Sequence, residues 1–234
     1  MAVCHHLAMT AAEISGAAQL PAQLAYMACH FSAYGTGLSN MPAQLPKDSL
    51  LILNDRIPIC GHDHNLIKEQ VKQLTQSLEC SALLLDFQRQ GCPELSALAQ
   101  MIAGDPPCPV AVSSLYVQDL PCAVFLPPVP LHKSAAEHIA PWQDRIIWLE
   151  AAIDAACITV TEQGSKITPT PYTEPPPDAL VDTALHCSYE IKLAQDSVTF
   201  HLYRTHSQLE SLLDEAQTLG VSKTIGLYQQ FRRA

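Results

Sequence analysis

From Leu50 to Glu150 the chain repeats one pattern, and that pattern restricts its possible folds more than any other feature. Short unbroken apolar runs (LLILN, SALLLDF, CPVAVSS, CAVFLPP, RIIWLEA) alternate with stretches that place apolar residues at helical spacing (NLIKEQVKQLTQSL, PELSALAQMIA, SAAEHIA). A strand with one wet face alternates polar and apolar residues. An unbroken apolar strand has to be covered on both faces, as in a parallel sheet flanked by helices. The interval from Ser113 to Cys122 is too short for a full helix between strands and predicts a loop.

Parallel strands joined by helices form either an open doubly wound sheet or a closed barrel. Neither GxGxxG nor GxxxxGKS/T follows any of the strands, which removes the usual nucleotide-binding reason for an open sheet and leaves no cofactor expected. The expected class is therefore α/β, a TIM-barrel-like fold, shortened or irregular.

The flanks differ from this middle. Residues 1–26 are rich in Ala and Gln and are read as a poorly defined N-terminal extension or loose helix, with Met27 opening a single barrel-like domain over 27–234. After Ala156, ITVTEQGSKITPT alternates around Gly164 and predicts a β-hairpin. PTPYTEPPPD, with five prolines in ten residues, cannot be regular structure, so an insertion is expected at about 157–178. CSYEIKLAQDSVTFHLYR reads as strand, turn, strand. SQLESLLDEAQTLG reads as a helix with Ser207 as N-cap, Glu210 completing a capping box and Gly220 as its stop, and the strand KTIGLY comes after it.

Composition narrows the partners. The net charge is -10 and no basic run exceeds Arg232-Arg233, so electrostatic capture of nucleic acid is not expected. No stretch supplies the roughly 18 apolar residues of a membrane span, and the N-terminus has no charged start of a secretory signal. Nine cysteines, odd in number and never in a CxxC pair, read as reduced thiols and a cytoplasmic chain. Nothing in the sequence fixes an oligomeric state.

Two stretches carry a resemblance. LLILNDRIPICGHDHNLIKEQVKQLTQSLECSALLLDFQ resembles the third and fourth strand region of chitinase-type (family 18) glycoside hydrolases, and DSVTFHLYRTHSQLESLLDEAQTLGVSKTIGLYQQF resembles their last strand-helix-strand unit. The resemblance implies a (β/α)8 barrel whose fourth strand ends in DxxDxDxE. The matching positions here are Ser81, Leu84, Asp86 and Gln88, so one of the four carboxylates is kept. The family's final Glu is its general acid, the Asp before it steers the substrate acetamide, and that acetamide is the nucleophile. Gln88 has the shape of the acid without its proton. The resemblance therefore implies a non-hydrolytic carbohydrate- or polar-ligand-binding barrel, with Tyr228 where the family often presents a stacking Trp.

Barrels carry their chemistry at the C-terminal ends of strands. There the sequence offers Asn54, Asp55 and Arg56; Asp86, Gln88 and Arg89; Ser113 and Ser114; Glu150; Tyr203 and Arg204; and Tyr228 and Gln229. They read either as ligand contacts or as rim ion pairs, Arg56 and Arg89 closing on Asp55 and Asp86. Glu150 with Asp86 would make a two-carboxylate hydrolase if the two faced each other; Glu150 could equally open a helix through AAIDAA. GHDHN suggests a metal-dependent hydrolase through His62 and His64, a weak motif that a polar turn also explains. Trp142 reads as a plug in the barrel's end.

Overall fold

The computed structural model describes residues 4–231. Eight parallel strands close into a barrel: β1 (Cys4–Met9), β2 (Leu24–Phe31), β4 (Leu50–Asn54), β5 (Ala82–Asp86), β6 (Val110–Ser113), β7 (Ala123–Leu126), β8 (Ile147–Ala151) and β14 (Val221–Leu227). A two-residue strand, β3 (Leu38–Ser39), pairs antiparallel with β2 outside this ring. Closure rests on β1, which pairs with β14 on one side and β2 on the other. The expected extension over residues 1–26 is thus corrected, since CHHLAM is a wall strand and β2 begins at Leu24. The barrel is also not short of strands. Its connections are what is reduced, and residues 114–122 join β6 to β7 without a helix, as the short interval requires.

Every strand sends alternate side chains to opposite faces. Leu51, Leu53, Leu83, Leu85, Val110, Val112, Ile147 and Leu149 point outward, into the layer shared with α2 (His64–Ser77), α3 (Pro93–Gly104) and α5 (His206–Thr218). The inward set mixes small and large residues: Ala8, Ala25, Ala82, Ala111 and Ala123 against Ile52, Leu84, Phe125, Trp148 and Ile225. A narrow barrel is filled this way because bulky side chains interleave with small ones across the axis. Trp148, with the Lys223 ammonium 5.4 Å from its ring centre, is the tryptophan inside the barrel. Trp142, expected as the plug, packs from outside against the strand-helix layer, because it lies in a 3-10 turn (Ala140–Trp142) before the strand rather than on it.

Between β8 and α5 the chain builds a second sheet of five antiparallel strands: β9 (Ala155–Thr161), β10 (Gly164–Thr170), β11 (Leu180–Asp182), β12 (Cys187–Ala194) and β13 (Ser197–Tyr203). The expected hairpin and Pro-rich connection are both present, but the insertion runs on to Tyr203, because β13 pairs with β9 along its whole length. β13, read as part of the last barrel unit, therefore belongs to the insertion. α5 is capped by Thr205, two residues before the expected Ser207, with Gln208 completing the box in place of Glu210. Gly220, at φ +96°, ends it.

The insertion is fastened by Arg204, a fully buried side chain. Its guanidinium donates to the carbonyl oxygens of Val129 (2.6 Å), Leu185 (3.2 Å) and His186 (3.2 Å), and its backbone N–H to that of Asp154 (2.9 Å). The rim segment after β7 and the turn before β12 meet on one cation, and the exit from β8 on the backbone of the same residue. Arg204→Met removes the donors and leaves buried carbonyls unpaired at roughly 1–3 kcal/mol each. A fall in Tm on the order of 10 °C is expected in thermal denaturation; a change within two or three degrees would contradict this role.

Candidate functional site

At the C-terminal ends of the strands the barrel opens into a cavity of about 540 Å³. Its floor is apolar, formed by Ile52, Leu84, Phe125 and Ile225, and its walls carry Asn54, Asp55, Asp86, Gln88 and Glu150, with His30 and Thr10 at the edge. Alternation explains the carboxylates. Asp86 is two residues beyond the inward Leu84, and Glu150 two beyond the inward Trp148. Glu150 does not open a helix, because only residues 152–154 separate β8 from β9.

The segment carrying Gln88 is held from several sides. Asp55, buried, accepts the backbone N–H groups of Gln88 (3.0 Å) and Arg89 (2.8 Å). The Ser113 hydroxyl donates to the Phe87 carbonyl (2.7 Å), and the Tyr116 hydroxyl to that of Arg89. With its peptide groups satisfied the segment is preorganised, and Gln88 Nε2 donates to Asp86 Oδ1. Asn54 serves the wall as much as the cavity. Its Nδ2 donates to the carbonyls of Met27 (2.9 Å) and Cys29 (3.0 Å), where the β2–β4 register slips, and so satisfies groups a bulge leaves open.

Several expected site residues lie elsewhere. Arg89 does not line the cavity, and among the described residues no ion pair joins Arg56 or Arg89 to Asp55 or Asp86; Asp55 accepts backbone N–H groups instead, and Asp86 the side-chain amide of Gln88. Tyr228 is also outside. The inward position on the closing strand is Ile225, and Tyr228 begins α6 (Tyr228–Phe231), packing against the outer layer. Gln229 hydrogen-bonds Glu13, and Gln230 clamps both the N–H and the carbonyl of Ile153 at 3.2 Å. Gly226 makes room for this turn, since a Cβ there would run into the Phe231 ring and lie 3.1 Å from the Ala151 carbonyl oxygen.

The histidine motif is structural. His62 spends both ring nitrogens on carbonyls, of Ile59 (2.7 Å) and Ser32 (3.0 Å), leaving none for a metal. Asp63 caps α2 through the N–H groups of Asn65 and Leu66, and His64 is the first helical residue. Among the described residues no three His, Cys, Asp or Glu side chains gather as a metal site. No helix among them is long and apolar enough to cross a membrane.

The cavity's electrostatics are those of half-buried carboxyls above an apolar floor. Burial pushes Glu150 up to about 7, with the charges of Asp86 and Asp154 adding to it. Burial also raises Asp86, against the hydrogen bond from Gln88, and Asp55 raises it further. Among the described residues Glu150 has no hydrogen-bond or ion-pair partner. A carboxyl whose pKa is higher folded than unfolded stabilises the fold while protonated. That contribution is whole below the ordinary value near 4.5 and is lost as pH rises through about 7. Glu150→Gln should therefore match the parent's stability near pH 4 and exceed it above pH 7, by on the order of 3 kcal/mol. Urea denaturation at the two pH values measures this, and an equal difference at both would refute it.

No protein-family model and no curated protein matches the sequence. Solved structures do match the fold. The chain is similar to a chitinase from Chromobacterium violaceum (9% identity, TM-score 0.55, covering 96% of this chain and 93% of that one). It is similar to the chitinase-like agglutinin of Robinia pseudoacacia (10%, 0.54, 97% and 95%). It is also similar to a mutant GH18 chitinase from Cycas revoluta in complex with (GlcNAc)4 (8%, 0.54, 96% and 94%). At these identities the likeness establishes the architecture alone: the chain has a closed, TIM-barrel-like α/β fold.

Proposed function

We propose that the barrel mouth binds a carbohydrate, with Asp86 and Gln88 as its central polar contacts and Glu150 and Asn54 around them. The observation that carries this reading is the cavity itself, which has an apolar floor and a few convergent carboxyl and amide groups. Pyranoside rings have apolar faces and hydroxyl edges, and such a surface matches both. The similar folds add support, since one is a chitinase-like agglutinin and another is in complex with (GlcNAc)4.

The family-18 route cannot run at position 88. Gln88 can donate to or accept from a glycosidic oxygen but has no proton to transfer. With respect to that reaction the mouth binds without cleaving.

Isothermal titration with GlcNAc oligomers and a panel of other glycans is expected to give saturable binding. Asp86→Ala should weaken it at least tenfold, and Tyr228→Ala, outside the cavity, should leave it unchanged. A folded sample that binds none of these glycans at millimolar concentration would remove the reading.

A further inference from the structure

Carbohydrate binding alone does not explain why Glu150, at the edge of the cavity, is left without a partner. A carboxyl drawn part-way out of water in a structural role is normally paired, because desolvating an unpaired charge is costly. Glu150 has no such partner among the described residues, yet its side chain is directed by strand alternation into the one cavity that also contains Asp86. The charges that reach it, Asp86 and Asp154, are of its own sign. β6 and β7 lie between the strands that carry Asp86 and Glu150, so the two carboxyls stand across the opening rather than side by side. A half-buried carboxyl without a pairing partner, in a cleft and against a like charge, is the arrangement of a group kept for proton transfer.

We infer that the protein is a glycosidase whose acid has moved from the fourth barrel strand to the seventh: Glu150 protonates the leaving oxygen, and Asp86 takes the proton of the attacking water. This rests on the carbohydrate-binding reading of the same cavity. The bond between the anomeric carbon and the glycosidic oxygen breaks, and its electron pair stays on the oxygen, which receives the Glu150 proton. A water attacks the anomeric carbon from the other side and gives its proton to the Asp86 carboxylate. Solvent carries that proton back to Glu150. One water is consumed and each half gains one hydroxyl group, with no oxidant, metal or cofactor needed.

Gln88 is then a positioning residue. Its Nε2 holds Asp86 Oδ1 and fixes the carboxylate, and its segment is itself clamped by Asp55, Ser113 and Tyr116. Attack opposite the leaving group inverts the anomeric configuration, whereas a nucleophilic carboxylate would retain it.

The test combines turnover with binding on the full chain, using (GlcNAc)4 and a set of 4-nitrophenyl glycosides, with product anomers followed by proton NMR. The expected result is hydrolysis with inversion. Glu150→Gln should lower kcat, measured at saturating glycan, by about 10²–10⁴-fold, and Glu150→Asp, which keeps a proton on a shorter arm, should be intermediate. Glycan binding without turnover overturns the inference and leaves the binding reading standing, as does turnover undiminished in Glu150→Gln. Absence of glycan binding together with absence of turnover removes both.

Discussion

The double pairing of Cys4–Met9, with Val221–Leu227 on one side and Leu24–Phe31 on the other, is the constraint on which the rest of the molecule depends. A parallel sheet with free edges could leave one face to water. A closed one cannot, and every second side chain of eight strands is driven into a space too narrow for solvent. Alanines on some strands accept Phe125 and Trp148 from others, and the interior is packed up to the level of Ile52, Leu84 and Ile225. Asp86 and Glu150 come next along the inward rows, at the first level where the barrel is open. Their apolar floor and their partial burial are thus consequences of closure.

The remaining elements hold that opening in shape. Asn54 mends the slip in β2, Asp55 and Ser113 fix the segment after β5, and Arg204 ties the inserted sheet to the rim and to the exit of β8. None of these side chains has to touch a ligand to matter for one. Asp55 and Asn54, read from the sequence as ligand contacts, border the cavity but spend much of their hydrogen-bonding capacity on backbone groups. Polar residues at strand ends serve geometry before chemistry.

The sequence disclosed the barrel where its strands are buried on both faces, because LLILN and ALLLD admit few other readings. It hid β1, because CHHLAM carries two histidines, and His6 lies fully buried in the wall. The hairpins of the insertion were legible from local alternation. Their union into one sheet was not, since β9 finds β13 some forty residues on, and no local pattern encodes that. Glu150 could have been placed by counting two residues from Trp148, but the alanines after it favour a helix by propensity, and only the brevity of the β8–β9 link excludes one. Tyr228 fell outside the cavity because the inward row on the closing strand ends before it.

The inferred chemistry depends on a carboxyl that still carries a proton in part of the molecules at neutral pH, in a cavity shared with a second one. The most direct measurement is a ¹³C NMR titration of the Glu and Asp side-chain carboxyls in the parent and in Glu150→Gln. A Glu resonance with its midpoint near 7, absent from the variant, is the predicted result. Titration of every Glu carboxyl below about pH 5, the ordinary range, would contradict it.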